Sequence, residues 1–273
     1  AERELGHFER ALRQAADADD ALLLGIVYGE LGKFHEPRDL DRAFAYYQDS
    51  AECLRRSGVG DDGSAAAEVI EAYVATLVRL AWLYALRNDP RARALLERAQ
   101  AVSGRHALTP ATLAMLEQTW GECLRRAGDL PRALEHKHRA LLLYERIDDR
   151  QAILKTCGNL SLIYGEAKDF ARAREYARRV LALAETMTVE PEILASTHMN
   201  LGVAWFWQAD YPRARDEYQH ALDIAMRHRL HRVAGLAHYN LAEVAYLQFK
   251  QSGDALDEQR GDAHAAAAIA IWP

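Results

Sequence analysis

Two markers recur along the chain with one period of about forty residues, and a long-period repeat constrains a fold more than any other sequence feature. The first marker is a short apolar segment with a small residue in second place. It reads Leu80-Ala81-Trp82-Leu83-Tyr84, Trp120-Gly121-Glu122-Cys123-Leu124, Leu160-Ser161-Leu162-Ile163-Tyr164, Leu201-Gly202-Val203-Ala204-Trp205 and Leu241-Ala242-Glu243-Val244-Ala245. Its small residues are 40, 40, 41 and 40 apart. The second marker follows each of the first four: Ala92…Leu96…Ala99, Ala133…Lys137…Ala140, Ala173…Ala177…Val180 and Ala214…Tyr218…Ala221. Its first alanines are 41, 40 and 41 apart.

Each unit carries two segments with apolar residues at three- and four-residue spacing, the pattern of an amphipathic helix pair. Between them lies a turn such as Ala127-Gly128-Asp129-Leu130-Pro131 or Ala209-Asp210-Tyr211-Pro212. Gly128 suits a left-handed helix end, and Pro131 and Pro212 suit the first turn of the next helix. Alanine and leucine dominate, β-branched runs are scarce, and only 7 prolines and 16 glycines occur, so the fold class is all-α. Gly121 and Ala133 let paired helices approach closely, while Tyr164, Trp205 and Tyr218 fill space between units. One pair cannot bury both its faces, so stacking of successive pairs must supply the core.

The segment 201–222, Leu-Gly-x-x-Trp…Asp-Tyr-Pro-Arg-Ala-x-x-x-Tyr-x-x-Ala-Leu, resembles a tetratricopeptide repeat, as do Trp120 to Leu141 and Leu160 to Leu181. The usual unit has about 34 residues; these longer ones are similar to the repeats of kinesin light chains, of Leu-Gly-Asn proteins and of sensor domains in bacterial signal-transduction ATPases and transcriptional regulators. The resemblance implies a right-handed superhelical solenoid of stacked helix-turn-helix repeats forming a single array over 1–273. Within it, 1–16 reads as a partial repeat, with Gly6 to Ala11 as its turn and second helix. Next come 17–57, a repeat with an insert around His35-Glu36-Pro37, and 58–63, a glycine- and aspartate-rich flexible connection. Repeats at 64–104, 105–147, 148–188 and 189–229 follow. The last unit, 230–273, has a polar insert from Gln251 to Gly261 and a final helix from Ala263 to Trp272. The alanine-rich surface of that helix is either a cap or a contact for a further repeat.

Composition and motifs exclude several function classes. Acidic residues outnumber basic ones 40 to 34, a net charge of -6, which argues against direct nucleic-acid binding. Cys53, Cys123 and Cys157 are far apart and odd in number, so neither a disulfide framework nor a Cys-x-x-Cys zinc site is expected, and reduced thiols fit the cytoplasm. The uncharged run Ile193 to Ala209 is too polar and short for a membrane span, and the start lacks the features of a signal peptide. The absence of an initial Met and the abrupt Ile271-Trp272-Pro273 end suggest a piece of a longer protein. No phosphate-binding loop, His-Glu-x-x-His or Gly-x-Ser-x-Gly occurs, so no enzyme, cofactor or metal is expected. Among the histidines, His136 and His138 point to different sides of a helix, and His198 and His238 hold equivalent repeat positions that suit interhelix packing. His228 and His231 belong to a basic stretch suited to a helix end.

The candidate binding residues come from one position of the unit. Asn159, Asn200 and Asn240 each precede the leucine and small residue of a first helix, 41 and 40 apart. The resemblance implies that this position faces a concave groove, where an amide offers a ligand backbone a donor and an acceptor. Helices packed about 8–10 Å apart and a strand rising about 3.3 Å per residue would match one asparagine to every three ligand residues. Each such bond contributes only about 1 kcal/mol, so side-chain pockets must add to it. Lys155, Val203, Phe206 and Trp207 share the groove if that geometry holds. Arg79, Arg125 and Arg126 add positive charge and Glu122, Glu166 and Glu243 negative charge. The competing readings are asparagines that pin neighbouring helices and charges on solvated helix faces. The expected function is recognition of an extended peptide or partner segment, within the sensor or scaffold part of a larger bacterial regulator. The alternatives are a self-association module using the last helix, and a small-molecule sensor with a pocket of Trp207, Phe206 and Tyr239.

Overall fold

The computed structural model describes residues 2–58 and 66–272; apart from Gly58, the connection expected at 58–63 lies outside the described residues. Those residues form thirteen α-helices and no strand: Glu2–Asp17 (α1), Ala21–His35 (α2), Leu40–Arg56 (α3), Ala67–Leu86 (α4), Arg91–Ser103 (α5), Pro110–Arg126 (α6), Leu130–Arg146 (α7), Arg150–Glu166 (α8), Phe170–Ala184 (α9), Pro191–Phe206 (α10), Tyr211–Arg227 (α11), His231–Ser252 (α12) and Ala255–Ile271 (α13). They divide into two compact units, Ala1–Asp148 and Asp149–Pro273. In the first, α1 packs on α2, the hairpins are α2/α3, α4/α5 and α6/α7, and α4 packs against both α3 and α6. In the second, the hairpins are α8/α9, α10/α11 and α12/α13, with α10 touching both α8 and α12.

The hairpin turns explain why the helices start and stop where they do. Asn88, Gly128, Lys168 and Ala209 have φ of 53, 82, 61 and 58°, one left-handed residue in each of the α4/α5, α6/α7, α8/α9 and α10/α11 turns. Asp19, Asp148 and Arg229 do the same between hairpins. After three of these turns an aspartate caps the next helix: Asp129, Asp169 and Asp210 accept from the backbone N–H groups of Arg132, Arg172 and Arg213 at 3.3, 3.1 and 3.2 Å. These bonds satisfy donors that the helix itself leaves open. Asp210→Ala is expected to lower the stability of the second unit by about 1 kcal/mol, read as a lower denaturant midpoint at unchanged slope.

Packing inside the hairpins rests on a volume match at two facing positions. Alanines of the second marker, Ala92, Ala133, Ala173 and Ala214, are buried. Where the first-helix position is glycine, the facing residue is large: a Cβ on Gly32, Gly121 or Gly202 would lie 2.5, 2.8 and 2.4 Å from Tyr47, Lys137 and Tyr218 respectively. Where it is Ala81 or Ser161, the corresponding second-helix residue is Leu96 or Ala177. The glycines thus make room for the large side chains opposite them, as close packing of an interior requires.

Two segments differ from expectation. Helix α1 runs straight through Gly6, so no turn lies there. The polar stretch after Gln251 is mostly helical, because Gly253 ends α12 in a left-handed conformation and Asp254 caps α13 at once by accepting from Leu256 N–H. Asp257 and Glu258 in the first turn of α13 suit the positive end of the helix dipole. Finally, α4 is the one helix among the described residues long and apolar enough to cross a membrane, and most of it is buried within the first unit.

Candidate functional site

In the second unit, α8 and α10 border an open groove of about 300 Å³. Its lining comprises Ser161, Leu162, Gly165 and Glu166 of α8, Lys168 and Phe170 at the turn into α9, and Asn200, Val203 and Trp207 from α10 and its cap. Leu162 and Trp207 are exposed, Trp207 at 64%. An indole left this open costs apolar contact with water, and such anchors mark interaction sites more than structural ones. Glu166 and Lys168 give the groove charges of both signs around an apolar floor.

Three expected residues, Asn200, Val203 and Trp207, thus share one groove. Asn159 and Asn240 hold the equivalent positions of α8 and α12 and are half-buried like Asn200. None of the three amides hydrogen-bonds another described residue, so they do not pin neighbouring helices through hydrogen bonds. Lys155 on α8 and Glu243 on α12 are exposed. Phe206 takes a different role. It packs against the core formed by Tyr218, Leu222, Val233 and Leu241, with its ring 5.8 Å from Tyr211 and edge-on to Trp207 at 5.9 Å. The helix ends between the two aromatics, which sends Phe206 inward and Trp207 outward. Trp205 is held between the guanidinium groups of Arg174 and Arg213, 4.2 and 4.7 Å from its ring centre.

The three arginines belong to the first unit and are already engaged. Arg79 donates to Glu36 Oε2 at 2.9 Å, the same oxygen that accepts the Tyr47 hydroxyl at 2.7 Å. This ties α2, α3 and α4 together. Burial, together with the carboxylate that Tyr47 faces, holds that phenol far above its ordinary range. Arg125 and Arg126 both donate to Glu122, at 2.9–3.1 and 2.7 Å. Burial pushes Glu122 up, but the two guanidiniums outweigh it and hold the carboxyl below the usual range. Arg126 also lines a second groove, of about 280 Å³, with Asn88, Asp89, Pro90, Arg93 and Cys123. The three- and four-residue helix spacing of Arg125 and Arg126 from Glu122 suits that pairing, although read from the sequence these charges stand separately in a groove; the partner of Arg79, 43 residues away, carries no local signal.

His198 and His238 both bridge their hairpins, to Glu217 at 2.8 Å and to His264 at 2.9 Å. The described residues contain one cluster of metal-ligating type, His198, Glu217 and His220, none of which lines the groove.

Residues 111–186 match the tetratricopeptide repeat family model, a span running from α6 to α9. The hairpins on both sides of that span have the same helix-turn-helix form. Solved structures agree on the fold. BtubC (BKLC) from P. vanneervenii superposes with a TM-score of 0.65 at 23% identity, covering 85% of this chain and 91% of its own. The apo form of RapI gives 0.71 at 13% identity, over 90% of this chain and 64% of RapI. A signal-transduction ATPase with a tetratricopeptide repeat sensor, from Pyrococcus horikoshii, gives 0.66 at 14%, over 91% of this chain and 40% of that one. No curated protein matches the sequence. The repeat fold points to protein–protein interaction, and modules of this kind are generally non-catalytic.

Proposed function

We propose that the second unit binds an extended peptide or partner segment across the first helices α8, α10 and α12, as a recognition module of a larger regulatory protein. The observation that carries this reading is the convergence of Asn200, Val203 and the exposed Trp207 on one open groove with Leu162 and Glu166. The amide of Asn200 addresses the ligand backbone, Trp207 and Leu162 receive an apolar side chain, and Glu166 and Lys168 select charge at the rim. The unengaged amides of Asn159 and Asn240 extend the backbone contacts to either side. The regulatory setting rests on analogy with RapI and the repeat-bearing ATPase, and repeat folds host many functions.

The test is a peptide-array screen of the chain beside a Trp207→Ala variant and an Asn159→Ala/Asn200→Ala/Asn240→Ala variant, with circular dichroism confirming equal helicity. Loss of an aromatic anchor should weaken a retained peptide by about 2 kcal/mol, roughly 30-fold in Kd. The triple variant should lose at least as much, at about 1 kcal/mol per amide. Peptides held equally well by all three folded proteins would refute groove recognition.

A further inference from the structure

Three side-chain positions recur in two hairpins 81 residues apart. In α6/α7 they hold Glu117, His136 and Arg139; in α10/α11 they hold His198, Glu217 and His220. In the first hairpin His136 Nδ1 lies 2.6 Å from Glu117 Oε2, and Arg139 Nη1 approaches the same oxygen at 3.9 Å. The carboxylate there faces a permanent cation. In the second hairpin the pair is inverted, with His198 on the first helix 2.8 Å from Glu217 Oε2 on the second. The arginine is replaced by His220, whose ring centre lies 5.2 Å from that of His198. One ligand atom from each of the three residues lies within 4.8 Å of the others.

We propose that His198, Glu217 and His220 form a binding site for a divalent transition-metal ion, with zinc the best match, that bridges α10 and α11. Two imidazoles and one carboxylate are a common zinc donor set, whereas the glutamate, histidine and arginine of the earlier hairpin cannot supply a third ligand. Metal–ligand distances of about 2.0–2.2 Å place tetrahedral ligand atoms about 3.4 Å apart. The present spacing closes to that by side-chain rotation of His220, which is exposed and one helical turn from Glu217. With three protein ligands, the fourth position is left for water. The bound ion would supply the positive charge that Arg139 supplies to Glu117, and it would fasten the helix that carries Asn200 and Val203 to its partner. The site stands on its own geometry and does not depend on what the groove binds.

The test uses the tag-free, chelator-treated chain, titrated with zinc chloride by calorimetry beside a His220→Arg variant. That substitution installs the side chain of the equivalent hairpin and leaves the His198–Glu217 pair in place. The wild type should take up one zinc per chain, with a zinc-dependent rise in Tm. His220→Arg should bind at least about tenfold more weakly, since loss of even an outer-shell partner costs 10–100-fold. Cobalt in place of zinc should give visible bands without a sulfur charge-transfer band, which separates this site from Cys53, Cys123 and Cys157. Equal zinc affinity in the two proteins, a thiolate signature, or no binding at millimolar zinc would overturn the proposal.

Discussion

A Lys137→Met variant is expected to be more stable than the wild type by about 2–4 kcal/mol at pH 6, with the difference shrinking as the pH rises toward 10. Lys137 occupies the second-helix position that Tyr47 and Tyr218 fill in other hairpins, and it is 1% exposed. Its ammonium donates to the Gln118 carbonyl at 2.8 Å. Burial, opposed by the Glu122 carboxylate and reinforced by Arg125, lowers the amine to about 7. The unfolded amine titrates near 10.4. Between about 7 and about 10.4 the unfolded chain therefore binds more protons than the folded one, and stability of the wild type climbs with pH across that window. Below it both states are protonated and the full cost of the buried charge remains. Methionine has similar length and adapts to the slot beside Gly121 with no charge to bury. Denaturant titrations of both proteins at several pH values measure the difference. A constant difference across pH, or a less stable variant at pH 6, would show that the ammonium is fully compensated where it lies.

Gly202→Ala is expected to cost the second unit about 1–3 kcal/mol through overpacking, although alanine is the better helix former by about 1 kcal/mol. The added methyl would sit 2.4 Å from two ring carbons of Tyr218, a side chain 2% exposed and unable to swing aside. Tyr218→Leu in the same chain should relieve that strain, because the hairpin with Ala81 carries Leu96 at the corresponding position. The double variant should accordingly be more stable than the sum of the single effects by at least about 1 kcal/mol, within the range of contacting residues. Strict additivity in the cycle would show that the two positions do not share one volume.

What the sequence makes legible here is local. The left-handed turn at Gly128 and the helix starts at Pro131 and Pro212 follow from residue chemistry within a few positions, and the helices bear them out. The repeat period exposed the hairpins because each one meets the same packing demand. The glycine opposite Tyr218 and the lysine opposite Gly121 were both in view as marker residues, yet neither burial nor volume match can be read from one strand of text. Composition misled at 251–261, where acidic residues that look like a loop are stabilising in the first turn of α13. Adjacent aromatics posed a similar problem. Phe206 and Trp207 are one residue apart, and only the position at which α10 stops decides which enters the core. Arg79 does line a small groove between α2 and α4, but its pairing with Glu36 carries no local signal because that partner belongs to a different hairpin.

Lys168 sits at a left-handed turn and also lines the groove of the second unit. A side chain in that conformation strains the backbone by about 1–2 kcal/mol relative to glycine. Gly128 avoids the strain and presents nothing to solvent, whereas Asn88, Lys168 and Ala209 accept it. The turn residues are thus interchangeable positions whose identity is decoupled from the hairpin interior. Hairpins built this way can diversify what they present at their turns while their scaffold stays constant, and each change draws on a modest, predictable fraction of local stability.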